Sequence, residues 1–190
     1  MQTDPHSHAE LMAALAEAER EVSAFFGALP DDDFVTPPGE AWSPAEHLRH
    51  LNRSVSAVAK GFGMPRWVLR IRFGRARRPS RRFAGLRDDY RARLAAGGRA
   101  SGEYVPRRED TPPGETDAYR RKILARWADA NQRLRAGLAR WSEADLERIR
   151  LPHPILGMLT AREMLFFTLY HDRHHIEAAR RRLPAPVATS

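Results

Sequence analysis

Residues 160–180 read TAREMLFFTLYHDRHHIEAAR, and this stretch predicts the long helix that closes the fold. Thr160 and Glu163 form a capping box, in which each side chain can accept the other residue's backbone N–H where a helix begins. With residues placed 100° apart, one side of the helix is basic and is expected to face solvent. That side carries Arg162, Arg173 and Arg180. The opposite, inward side carries Met164, Thr168, His171 and His175.

The inward side of this helix predicts a pair of stacked imidazoles. His171 and His175 are four residues apart, so they are neighbours on one helical face. Two histidines at this spacing can bind one metal ion. A pair of hydrogen-bonded core histidines would give the same pattern. His174 points elsewhere and is the weaker candidate ligand, and Asp172 is expected either to orient a ligand imidazole or to be solvated.

The segment HDRHH, residues 171–175, also invites comparison with the zincin pattern H-E-x-x-H, with Asp172 in the glutamate position. An aspartate is one methylene shorter, and no histidine follows His175 to act as the usual downstream ligand. A third ligand must therefore come from upstream. The upstream candidates are His6, His8, His47, His50 and His153. On a helical wheel His47 points further inward than His50, so spacing by itself favours His47.

Three further segments have the period of long helices. The first follows Asp4-Pro5, which we expect to be its cap and first helical position, and it ends before Pro30. The second begins with a capping box formed by Ser43 and Glu46 and carries an apolar stripe. The members of that stripe are Leu48, Leu51, Val55, Val58 and Phe62. The third spans roughly 115–139.

The remaining segments predict connections rather than strands. Residues 63–116 are rich in Gly, Pro and Arg and are interpreted as a long connection with room for a short helix. Residues 151–159, LPHPILGML, are interpreted as a loop, and no strand alternation is evident. The expected fold is all-α: a four-helix bundle with one long crossover connection, in a single domain that spans residues 1–190.

Composition narrows the range of functions. The chain has no cysteine, which excludes disulfides, thiolate metal sites and a thiol nucleophile of its own. No apolar run approaches the ~18 residues of a membrane span, and the first residues lack a signal-peptide pattern. We therefore expect a cytoplasmic protein with no membrane partner. The formal net charge is +8, and residues 66–82 hold eight arginines and no acid. That run suits phosphates or carboxylates, and equally a solvated connection.

Two segments resemble the DinB/YfiT-like superfamily. AWSPAEHLRHL, residues 41–51, is similar to its W-S-x-x-E-x-x-x-H-L signature, and residues 153–175 resemble its closing segment. The resemblance covers most of the chain, and 63–116 is the part that matches least. It implies a four-helix bundle, often dimeric, with a divalent metal held by three histidines. The Gln often seen just beyond the last of these histidines is missing, and Ala178 lies in that neighbourhood.

Carried over to this chain, the resemblance implies the ligands His50, His171 and His175. It selects His50 because that residue lies eight positions after Trp42, and so overrules the wheel preference for His47. Glu46 lies one turn before His50 and is a candidate to orient its imidazole, although its capping role competes for the same carboxylate. Three neutral imidazoles suit zinc or nickel, and leave a coordination position open.

The resemblance also implies an activity. Its characterised members include metal-dependent transferases of low-molecular-weight thiols such as bacillithiol and mycothiol, and others are labelled hydrolases. We therefore expect a metal-dependent enzyme that activates a cosubstrate thiol, or else a water, against a small-molecule substrate. The alternative is a non-catalytic metal-binding bundle with a role in sensing or the stress response. A nucleic-acid binder acting through residues 66–82 is the least favoured hypothesis.

Overall fold

The computed structural model describes residues 4–108 and 114–183. Within these residues four long helices pack side by side: α1 (His8–Gly27), α3 (Pro44–Gly63), α6 (Thr116–Leu138) and α8 (Ala161–Arg180). α3 packs along α6, α1 contacts α6 and α8, and α8 also contacts α3. The predicted all-α bundle is confirmed. No described helix has the length and hydropathy that crossing a membrane requires.

The shorter elements connect these four helices. They are α2 (Asp31–Val35), α4 (Arg66–Phe73), α5 (Phe83–Ala95), a 3-10 helix (Gly102–Tyr104), α7 (Glu143–Arg148), β1 (Arg150–His153) and β2 (Gly157–Thr160). Part of the predicted long connection therefore folds as α4 and α5. The loop prediction for 151–159 was wrong, because β1 and β2 pair as an antiparallel hairpin with Leu151 opposite Leu159. Each strand has only four residues and β1 contains Pro152, so no alternation is visible in the sequence.

Local signals fix the helix starts. The capping boxes at Ser43 and Thr160 form as predicted, with Glu46 and Glu163 accepting the backbone N–H of the cap residue. The predicted cap of α1 at Asp4 was wrong, because Ser7 caps that helix in a box with Glu10. The predicted stripe of α3 is buried at every position: Leu48, Leu51, Val55, Val58 and Phe62.

Arg162 was wrongly predicted to face solvent. Its side chain is 2% exposed and its guanidinium donates to Glu147, to Glu143 and to the carbonyl of His6. These contacts join the first turn of α8 to α7 and to the residues just before α1. Arg162 is thus buried, although it lies on the basic side of the helical wheel, because acidic partners cover it.

The arginine-rich run 66–82 is partly neutralised within the fold. Arg66 and Arg70 pair with Asp145 at 3.2 and 2.9 Å. Arg81 donates to Glu163, with its Nε 2.8 Å from a carboxylate oxygen that is almost fully buried. These ion pairs attach the connection to α7 and to the start of α8.

Candidate metal centre

Helices α3 and α8 bring three histidines together in the interior of the bundle. His50 comes from α3, and His171 and His175 come from successive turns of α8. One nitrogen of each ring lies within 4.8 Å of the others, and all three residues are buried. The Nε2 of His171 is 3.0 Å from the Nε2 of His50 and 3.1 Å from the Nε2 of His175. Nitrogens bound to one tetrahedral zinc ion lie roughly 3.3 Å apart, so the cluster is close to that size.

The hydrogen bond of His50 fixes its tautomer. Its Nδ1 lies 2.7 Å from the carbonyl oxygen of Tyr104, which can only accept, so Nδ1 carries the proton. The Nε2 lone pair is therefore left facing His171. A ligand histidine is commonly oriented in this way, with the second ring nitrogen donating to a carbonyl or a carboxylate.

Burial keeps the three rings uncharged. It is the largest cause that lowers the pKa of His50, and it lowers the pKa of His171 and of His175 well below the ordinary value. Neighbouring imidazoles, His50 and His47 among them, lower the pKa of His171 and of His175 further. The rings are neutral at pH 7, which is the protonation state that metal binding requires.

His47 lies beside this cluster rather than within it. Its Nδ1 is 2.8 Å from the Nδ1 of His175, on the side of that ring away from His171. Burial is the main reason that the pKa of His47 is lowered to about 3, so both rings of the pair are neutral at pH 7. The alternative ligand of the sequence analysis is therefore a hydrogen-bond partner of His175 in this structure.

Trp42 closes one side of the cluster. Its ring is stacked at 6.0 Å from that of His175 with an interplanar angle of 11°, and it lies 5.1 Å from the ring of His50. It also contacts the ring of His47 edge-on at 5.5 Å. One half-buried indole thus packs against imidazoles from both helices and keeps them together.

The other residues singled out from the sequence have different surroundings. His174 is half-buried and is not part of the three-histidine group, although its ring lies 5.4 Å from that of His175 and 6.0 Å from that of Tyr170. Glu46 has its predicted capping role, with Oε2 accepting from the N–H of Ser43 at 2.8 Å. Asp172 was expected to be solvated if it did not orient a ligand, but it is buried. Its Oδ1 has no hydrogen-bond partner among the described residues, and burial raises the pKa of its carboxyl well above the usual value.

A cavity of about 280 Å³ adjoins the cluster, and His50 and His171 form part of its wall. Most of the wall is apolar, with Leu69, Phe73 and Phe167 among the lining residues. Ligand pockets of enzymes are typically apolar spaces of a few hundred cubic ångströms with a small number of polar groups. This cavity has no signature in the sequence, because its walls come from α3, α4, α5, α8 and the hairpin.

A second, basic groove lies on the neighbouring face, between α3, α6 and the 3-10 helix. Among the described residues that line it, seven are Lys or Arg and only Glu103 and Asp129 are acidic. Its volume is about 990 Å³, and it shares Ala57, Lys60 and Tyr104 with the apolar cavity. Its positive potential therefore extends to the mouth of the cavity.

The bundle and its buried histidines define a class: a helical protein with a candidate three-histidine metal centre. A family model of the DinB superfamily matches residues 14–179, a span that includes all three histidines. The chain belongs to the DinB superfamily, as its two motifs predicted. Searches among curated proteins and among solved structures gave no match.

Proposed function

We propose that this protein is a metal-dependent enzyme in which His50, His171 and His175 hold a divalent ion, either zinc or nickel. The observation that carries the proposal is that three neutral, buried imidazoles converge at the wall of an apolar cavity. Three protein ligands leave an open position, and here the cavity provides space for a reactant beside it. Such an ion would act as a Lewis acid and would lower the pKa of a bound thiol or water, so that this group ionises near neutral pH.

The surrounding residues hold the ligands in place and exclude water. The carbonyl of Tyr104 orients His50, and His47 contacts the outer nitrogen of His175. Trp42 covers the imidazoles on another side. Fixed orientation of ligand rings raises metal affinity, and a dry surround strengthens every charge interaction at the centre.

The basic groove favours a thiol cosubstrate over water as the nucleophile. The chain has no cysteine, so a thiol must come from a second small molecule. Some low-molecular-weight thiols, bacillithiol among them, carry carboxylates, and the groove offers cations such as Arg53 and Arg126 next to the cavity. Within the run 66–82, three of the eight arginines, Arg66, Arg70 and Arg81, already pair with acids. We therefore propose thiol S-transfer ahead of hydrolysis, with the groove as the place for the cosubstrate.

The first test is the metal content of untagged protein. Wild-type protein is expected to hold about one equivalent of zinc or nickel, and His50→Ala and His171→Ala are expected to lose it. His174→Ala is the matched control, because it removes a neighbouring histidine outside the group and should keep the metal. Full metal in both ligand variants would contradict the assignment.

The second test is thiol-dependent consumption of an electrophile. Metal-loaded wild-type protein should consume monochlorobimane with bacillithiol or mycothiol, and His50→Ala should not. Turnover that proceeds equally well without a thiol would contradict the transferase and favour the hydrolase. Stoichiometric metal with no rate above that of His50→Ala would favour the non-catalytic binding role.

A further inference from the structure

The ring of His153 is fixed in one tautomer by the hairpin turn. The backbone N–H groups of Ile155 and Leu156 donate to its Nδ1 at 3.1 and 3.0 Å. A nitrogen that accepts two hydrogen bonds carries no proton, so the proton of the neutral ring is on Nε2. Burial lowers the pKa of His153 to about 4, and the ring is neutral at pH 7. His153 therefore has a donor, its Nε2–H, on a ring that cannot turn over without breaking the turn.

This ring is part of the wall of the apolar cavity that adjoins the candidate metal centre. The ring of Phe167 contacts both the ring of His153 and a histidine of the candidate metal centre. Its centroid lies 4.1 Å from that of His153 and 4.8 Å from that of His171. Tyr90 packs edge-on against the rings of His153 and Phe167. A small molecule in the cavity would thus be within reach of His50 and His171 as well as of His153, since all three line the wall.

The apolar wall of the cavity restricts the charge and polarity of a ligand that can bind there. Apolar side chains supply most of the wall, and among the described lining residues none is acidic. Lys60 is exposed and is the only Lys or Arg among them. A charged ligand in such a cavity would lose its hydration without gaining an oppositely charged partner, which costs free energy. An apolar ligand binds there without this desolvation penalty. The few polar groups inside therefore decide how a neutral ligand is oriented.

We propose that this cavity binds an uncharged, largely apolar substrate through an oxygen of the carbonyl type, which accepts a hydrogen bond from the Nε2–H of His153. The role of this ligand as the electrophile rests on the proposed enzymatic function, whereas its binding does not require a metal. A hydrogen bond at that oxygen would also draw electron density from the adjoining carbon, which prepares it for attack.

The test compares two ligands of nearly equal shape: acetophenone, and isopropenylbenzene, in which a CH₂ group replaces the carbonyl oxygen. Dissociation constants are measured by calorimetry on the full chain, with and without zinc. Acetophenone should bind about 3- to 10-fold more tightly, which corresponds to one neutral hydrogen bond. His153→Asn keeps an acceptor near the position of Nδ1 for the turn and removes the Nε2–H donor. The preference should vanish in this variant while isopropenylbenzene binds as before.

A preference that survives in His153→Asn, or wild-type protein that binds neither ligand, would overturn the proposal. If the variant does not fold, long-range ¹H–¹⁵N spectra of wild-type protein decide instead. The Nε2–H signal of His153 should shift with acetophenone and not with isopropenylbenzene, and an Nδ1–H tautomer would overturn the proposal. Loss of the metal site would leave this preference intact in the zinc-free protein, so failure of the proposed function is distinguishable from failure of this inference.

Discussion

His47 Nδ1 lies 2.8 Å from His175 Nδ1, so helix α3 contributes a hydrogen-bond partner to a histidine of α8. The Nε2 of His175 faces His171 at 3.1 Å, which leaves only Nδ1 for this contact. A carboxylate or a backbone carbonyl usually has this role beside a ligand histidine. Here a neutral imidazole has it, and one of the two Nδ1 atoms carries the shared proton.

Removal of this partner should weaken metal binding without abolishing it. His47→Ala is expected to lower zinc affinity by about 10- to 100-fold, because His175 loses the contact that sets its orientation. Competition with a chromophoric chelator measures the change. His174→Ala should bind zinc as wild-type protein does. Equal affinity in His47→Ala and wild-type protein would show that the contact does not support the site.

The metal-free protein should lose stability as the pH falls from 7 to 5. Burial lowers the pKa of His153 to about 4, while the unfolded chain binds a proton near the ordinary value of ~6.5. Below that pH the unfolded state holds more protons than the folded state, so stability is lost, by about 2 kcal/mol for this one residue at pH 5.

The matched variant for this prediction is His153→Asn, which does not titrate in the range. Urea unfolding at both pH values should give a decline in the variant that is about 2 kcal/mol smaller than in wild-type protein. The same decline in both proteins would show that the buried imidazole contributes nothing to the pH dependence.

Arg162 should be important for stability although it lies outside the candidate site. Its buried guanidinium donates to Glu143, to Glu147 and to the carbonyl of His6, and an Arg162→Ala change removes this charged donor from all three. Among the described residues, Glu143 then keeps only the N–H of His8, and Glu147 keeps only Ser80. The expected cost is about 2–3 kcal/mol in the free energy of unfolding. Arg140→Ala, at an exposed position, should change that quantity by less than about 0.5 kcal/mol. Similar denaturation midpoints for the two variants would contradict this role.

The basic groove should affect binding of an anionic thiol rather than the chemical step. Arg126 lines the groove and is not among the residues that line the apolar cavity. Arg126→Glu is expected to raise KM for the thiol by roughly fivefold or more with little change in kcat, since an exposed charge contributes about 1 kcal/mol. The control is Arg140→Glu, which makes the same charge change elsewhere. A fall in kcat at constant KM would count against the groove as the cosubstrate site.

Local patterns predicted the parts of this fold that depend on neighbours in sequence. The capping boxes at Ser43 and Thr160 and the buried stripe of α3 need only residues three or four apart. Helix α5 was missed because it buries only Leu86 and Tyr90, which is too weak a period to recognise. The hairpin and the burial of Arg162 depend on partners that only the folded chain supplies.

The candidate metal centre, too, was predicted only in part from patterns local in the sequence. The inward position of His171 and His175 follows from helical geometry, whereas the choice of His50 over His47 came from a motif that the wheel alone contradicted. In the structure both α3 histidines reach α8, His47 at the outer nitrogen of His175 and His50 at His171. His153 was considered only as a ligand. Its position before Pro154, where a side-chain acceptor can cap a turn, was the available signal for its role in the hairpin.

The contact between His50 and His171 joins residues 121 positions apart in a chain that has no cysteine. An ion shared by these two rings would act as a reversible cross-link between the second long helix and the last. A covalent link that closes a loop of about 100 residues restricts the unfolded chain by about 4–5 kcal/mol in the entropic account. A chelate of this span would give the bundle a similar restraint without an oxidising environment, and acid or a competing chelator would release it.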